Sequence, residues 1–177
     1  MKNNQSIHSW LPLVVLLFGT IALGFSSLFV LWAKAPGIVT AFYRELLAAA
    51  FTALPIFILT RRERSFSRKH VFYAALAGIF FAADIALWNT SVFMTSAANA
   101  TLFNNTSVLW VGLAAPFIFK EKLNYKFWLG LTTAFVGITI IVGSDFLEHP
   151  TLGLGDFLAM VAATGYAAFF LFTQKSR

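Results

Sequence analysis

The chain has 177 residues, of which 59% are hydrophobic and 11% charged, with a formal net charge of +6. Soluble domains carry about 25% charged residues, so this composition excludes a water-facing globule. The absence of cysteine also excludes disulfides, thiolate metal sites and a cysteine nucleophile.

A helix needs roughly 20 mostly apolar residues to cross the hydrocarbon core of a bilayer. Six stretches meet or approach that length: 11–32, 38–60, 71–94, 97–119, 125–142 and 154–172. They are unbroken apolar runs, not alternating ones, which argues against a β-barrel. The expected fold is an all-α integral membrane protein with six transmembrane helices. The links are short, so consecutive helices should pack antiparallel. Pro36 and Gly37 break the chain before the second span, Thr95-Ser96 turns it between the third and fourth, and Pro150 and Gly153 break it before the sixth.

Charge then orients the chain. With residues 1–10 in the cytoplasm, the inner segments hold Lys2, Arg61, Arg62, Arg64, Arg68, Lys69, Lys120, Lys122, Lys126, Lys175 and Arg177, eleven of the thirteen basic residues. The outer links hold Lys34, and Arg44 lies within the second span. Cytoplasmic loops carry the excess of Lys and Arg, so the N-terminus is expected inside and 144–153 is expected to be an exterior loop. The basic run RRERSFSRKH, Arg61 to His70, reads as a cytoplasmic loop and not as a nucleic-acid patch.

The first and sixth spans resemble each other. ALGFSSLFVLWAK, from Ala22, aligns without gaps on ATGYAAFFLFTQK, from Ala163, matching Gly24 to Gly165, Phe29 to Phe170 and Lys34 to Lys175. A unit of five spans, 11–143, is odd in number. A second copy beginning at 154–177 would therefore start in the opposite orientation, as in the inverted repeats of secondary transporters. On this logic the chain is expected to be the N-terminal part of a protein with about ten spans.

Charged groups deep in a span are costly and mark functional sites by default. Asp84 lies near the middle of the third span, and Arg44 and Glu45 lie in the second. Either Arg44 or a bound cation would neutralise Asp84; the alternative is a purely structural pair joining the two spans. Asp84, Trp88, Ser91 and Thr95 share one helical face. Thr101, Asn104, Asn105, Val108, Gly112 and Ala115 form a stripe on the fourth span, with Asn99 near its outer end. Asp84, Trp88, Asn99, Asn104, Asn105 and Arg44 are the candidates for a substrate cavity, while Glu45, Glu121 and Lys34 are candidates for structural charge. Small residues at Gly130, Ala134 and Gly137 suggest helix packing in the fifth span. His8, His70 and His149 lie at span ends or in links, and no metal-ligand cluster, nucleophile elbow or phosphate loop is present. An enzyme, a metal site and a cofactor are therefore not expected.

The stretch DIALWNTSVFMTSAANATLFNNTSVLWVGLAAPFIFKEK, from Asp84, resembles the third and fourth spans of EamA-type carriers of the drug/metabolite transporter superfamily. Arg44 in the second span, WLGLTTAFVGITIIVG in the fifth and GLGDFLAMVAATGYAAFFLFTQKSR in the sixth extend the resemblance over the whole chain. It implies two inverted five-helix repeats around a central cavity, and a carrier of small metabolites, amino acids or drugs, often outward. The expected partners are a small-molecule substrate, a coupling proton and the bilayer of a bacterial cytoplasmic membrane. One departure is Val108, where many relatives carry a proline, which puts a local helix break there in doubt. A membrane scaffold, or a half-size unit working as a homodimer, is the competing reading.

Overall fold

A computed structural model describes residues 11–60, 67–120, 123–148 and 153–177. The chain before Leu11, the basic run at 61–66, Glu121 with Lys122, and residues 149–152 lie outside the described residues. All described regular structure is helical, in the order α1 (Leu11–Gly24), α2 (Ser26–Trp32), α3 (Gly37–Thr60), α4 (Arg68–Met94), α5 (Ala97–Asn105), α6 (Ser107–Phe119), α7 (Tyr125–Glu148) and α8 (Leu154–Lys175). Large apolar side chains cover the outside, among them Phe18, Phe51 and Phe117. In water such a surface would aggregate; in a bilayer it is the lipid face. The protein is an all-helical, multi-pass membrane protein.

Four of these units are long and apolar enough to cross a membrane, the bent pair α1–α2 makes a fifth, and Tyr125–Ile140 is a shorter apolar helix. The first expected span is thus not one straight helix. It bends by 43° at Gly24–Phe25, where glycine is followed by Ser26 and Ser27, a sequence type at which helices kink. The fourth span is interrupted without a proline. Thr106 donates its hydroxyl to the Phe103 carbonyl at 2.7 Å and its N–H to the same carbonyl at 3.1 Å. This tightens one turn into 3₁₀ geometry, two residues before Val108. The backbone of α7 runs on to Glu148, so part of the expected 144–153 loop is helix.

The core lies where α4 meets α8. Along α8 the residues Gly155, Ala159, Ala162, Ala163 and Ala167 are buried, a small-residue face that lets two backbones approach closely. A Cβ on Gly155 would fall 2.7 Å from the Met94 carbonyl carbon, and one on Gly165 would fall 3.3 Å from the Phe80 oxygen. Ordered along the chain, these contacts make the pair antiparallel. At the opposite end Phe80 stacks on Phe172, with ring centroids 5.4 Å apart, and Lys175 lies over the Tyr73 ring. Gly37 packs α3 on α4 in the same way, its notional Cβ 2.5 Å from Thr90 N. The small residues of α7 do not follow suit. Nothing lies within 4 Å of a Cβ at Gly130 or Gly137, because α7 docks through Phe127 and Leu131 against Gly112 of α6. Among the described residues, its Gly130 and Gly137 therefore meet no neighbouring helix.

Candidate functional site

The α4 face that carries Asp84 is turned inward. Asp84 is 1% exposed, and Trp88 and Ser91 are buried with it. Trp88 packs with Val30, Val92, Ala100 and Ala162, so α2, α4, α5 and α8 all meet around it. Asn104 on α5 presents its side-chain amide to the Asp84 carboxyl. Gly165 of α8 closes the other side, a Cβ there falling 3.5 Å from that of Asp84. Asp84 Oδ1, Asn104 Oδ1 and Trp88 Nε1 are all buried without a hydrogen-bond partner among the described residues. A deep, polar and unsatisfied cluster therefore sits about 15 Å from the Met94 end of α4, ten residues away at 1.5 Å each.

Arg44 does not close this cluster. The Gly37–Thr90 contact registers α3 against α4, and seven residues further along each helix bring Arg44 level with Ala83 and Asp84. Yet the side chain turns away: Nη1 donates to Ser26 Oγ at 3.0 Å, and Nε lies 3.9 Å from Glu45 Oε1. Asp84 feels both Arg44 and Glu45 only through space, and Tyr166 of α8 also lies in electrostatic range of Asp84. With Arg44 paired to Glu45, an ionised Asp84 would have no opposite charge of its own at that level.

Arg44 instead lines a cavity of ≈ 720 Å³ between α1–α2 and α3, with Ser26, Thr40 and Tyr43 as its polar neighbours and Leu23 and Phe29 among its walls. Small-molecule pockets run to about 300–1,000 Å³. A second cavity, ≈ 380 Å³, opens between α6 and α8 and is lined by Val108, Ala115, Phe170 and Gln174. Of the other sequence candidates, Asn105 is exposed and Asn99 is half-buried, its N–H donating to the Ser96 hydroxyl that caps α5. Lys34 is exposed and ends α2 in a left-handed conformation, φ 49°. Among the described residues no group of three or more His, Cys, Asp or Glu could hold a metal ion.

Among the described residues, the sequence reading missed the buried polar residues Asp156, Asn89 and Ser107. Asp156 accepts Thr95 Oγ1–H at 2.6 Å and Gly153 N–H at 2.9 Å. Its position at the third residue of α8 is the signal that could have found it, since an acid there reaches back to the helix start. Asn89 donates Nδ2 to the Gly37 carbonyl at 3.3 Å and to Thr40 Oγ1 at 3.1 Å. A lone amide mid-span, close to a glycine-led helix, was its only signal.

The model of the EamA-like transporter family matches residues 4–143. The chain belongs to the EamA-like transporter family. It is also 30% identical over 74 residues to the probable 4-amino-4-deoxy-L-arabinose-phosphoundecaprenol flippase subunit ArnE of Hamiltonella defensa, a match covering 42% of this chain and 67% of that relative. No solved structure matches significantly. An EamA-like chain with this fold is a membrane transporter of the drug/metabolite type, and family and fold point to transport of small molecules, not to catalysis.

Proposed function

We propose that this EamA-like chain is a secondary carrier that exports small metabolites or drugs, with Asp84 as the group that takes up the coupling proton. The observation that carries the reading is Asp84 Oδ1, buried at mid-depth without a hydrogen-bond partner among the described residues, beside an Arg44 already engaged by Glu45 and Ser26. A charge at the centre of a span is disfavoured by about 2.5–3.5 kcal/mol on insertion scales. One proton removes that charge.

The Arg44-lined cavity gives a substrate polar contacts at the same depth. Substrate and proton would then meet at one level of the membrane, on opposite sides of α3 and α4. In this reading the N-terminus is cytoplasmic and α8 begins the inverted second repeat. The opposite wall comes from further helices, of the same polypeptide or of a second copy.

An export screen tests the proposal. Cells producing the protein, its Asp84→Asn variant or neither are challenged with toxic amino-acid analogues and drugs. Resistance to at least one compound is expected with the wild type, and its loss with Asp84→Asn at equal membrane abundance. Resistance unchanged by Asp84→Asn contradicts the role of Asp84.

A further inference from the structure

Asp84 Oδ1 and Asn104 Oδ1 share a defect. Both are buried acceptors without a donor among the described residues, and they belong to two side chains that face each other across α4 and α5. An ionised carboxylate has no donor to offer, and an amide oxygen is acceptor only. Two such oxygens repel unless a proton lies between them. The amide also has N–H donors to return to the other carboxyl oxygen.

We propose that Asp84 and Asn104 form a proton-gated acid–amide pair, in which one proton bound at Asp84 is donated to the Asn104 carbonyl and clamps α4 to α5. The step balances simply. The carboxylate takes a proton from hydronium, leaving water and a neutral acid, and no bond to carbon changes. One proton thereby satisfies two orphaned acceptors and removes the buried charge together. The inference rests on the coupling role proposed for Asp84 and adds Asn104 as its positioning residue.

The surroundings suit a switch. The charged and titratable groups around Asp84 are Arg44 and Glu45 from α3 and Tyr166 from α8; α5 contributes the amide. Arg44 is held by Ser26 and Glu45, so its charge is partly spent before it reaches Asp84. Asn104 lies one residue before the end of α5 and two before Thr106, where the helix is interrupted. A short helix ending at such a turn can shift without bending a long one. Loss of the proton would remove one of the two hydrogen bonds of the pair, leaving the Asn104 N–H on the carboxylate, and so loosen α5 on α4.

Infrared difference spectroscopy of the reconstituted protein, across a pH titration, reads this directly. Acidification is expected to produce a carboxylic-acid carbonyl band that is absent in Asp84→Asn. That band should move to higher wavenumber in Asn104→Leu, where the hydrogen bond is lost, and return towards its original position in Asn104→Gln. If Asn104→Leu leaves the band in place, the pair is overturned while Asp84 coupling stands. An acid-band pattern in Asp84→Asn identical to that of the wild type overturns the coupling role itself. Sodium ions that suppress the band at constant pH assign the two oxygens to an alkali cation and also overturn the pair. Should Asn104→Leu fail to fold, wild-type protein carrying ¹³C-labelled asparagine answers the same question. Its amide carbonyl band should shift on acidification, and no shift overturns the pair.

Discussion

Thr95 at the end of α4 donates its hydroxyl to Asp156 at the start of α8, 2.6 Å away. The same carboxylate accepts the Gly153 N–H at 2.9 Å, so one buried side chain caps α8 and ties it to α4. A capping side chain contributes about 0.5–2 kcal/mol, and an interhelical hydrogen bond in a bilayer about 0.6 kcal/mol. Asp156→Ala should therefore lower the thermal unfolding midpoint in detergent more than Thr95→Val does. Equal effects would mean that the cap contributes nothing beyond the link.

Close backbone approach makes a sharper prediction. At Gly37 and Gly155 a Cβ would fall 2.5 and 2.7 Å from backbone atoms of α4, and backbone cannot rotate out of the way. Gly37→Ala and Gly155→Ala should each sharply reduce the yield of monodisperse protein. At Gly19 and Gly130 nothing lies within 4 Å, so alanine there should leave the yield undiminished and the melting temperature no lower. Size-exclusion profiles of the four variants check this.

The α3–α4 contact carries its own polar link. Asn89 is fully buried and donates to both the Gly37 carbonyl and the Thr40 hydroxyl. Asn89→Leu should destabilise by roughly 1–2 kcal/mol, within the range for leaving a buried acceptor unpaired. A double-mutant cycle with Thr40→Val measures how much passes through the hydroxyl. A coupling indistinguishable from zero would show that the Gly37 carbonyl accounts for the whole effect.

Much of the helical layout was legible because apolar length and helix breakers are local properties. The runs 38–60 and 71–94 reappear as α3 and α4 within a few residues. The bend at Gly24 was not read, since a glycine close to two serines occurs in straight helices too. The break at Thr106 was missed because it arises from a hydroxyl bonding back to its own helix, not from a proline.

Within the candidate site, spacing put Asp84, Trp88 and Ser91 on one face, but that this face is buried is visible only in the structure. The direction of Arg44 did not follow from spacing either. Helical periodicity places it at the right depth, but Ser26 and Glu45, not Asp84, decide where its guanidinium points. Asn105 adjoins Asn104 in sequence and yet is exposed. One residue along a helix is a rotation of about 100°, and no pattern within a single span says which of two adjacent amides faces inward. Gly130 and Gly137 of α7, without a close neighbour among the described residues, show the same limit, since a small-residue stripe does not name its partner.

Asp84 also predicts a conflict between stability and activity. Removing a buried charge that lacks a partner relieves its burial penalty. Asp84→Asn should therefore melt no lower than the wild type, and higher if the carboxyl is ionised at the assay pH. A variant that melts well below wild type would show that the carboxylate is instead a structural anchor.

The most direct test of the account is transport in proteoliposomes under an imposed pH gradient, using a compound identified by the export screen. Wild-type flux should rise with the gradient, and Asp84→Asn flux should be independent of it. A gradient dependence that survives unchanged in Asp84→Asn would contradict the assignment of Asp84 as the coupling group.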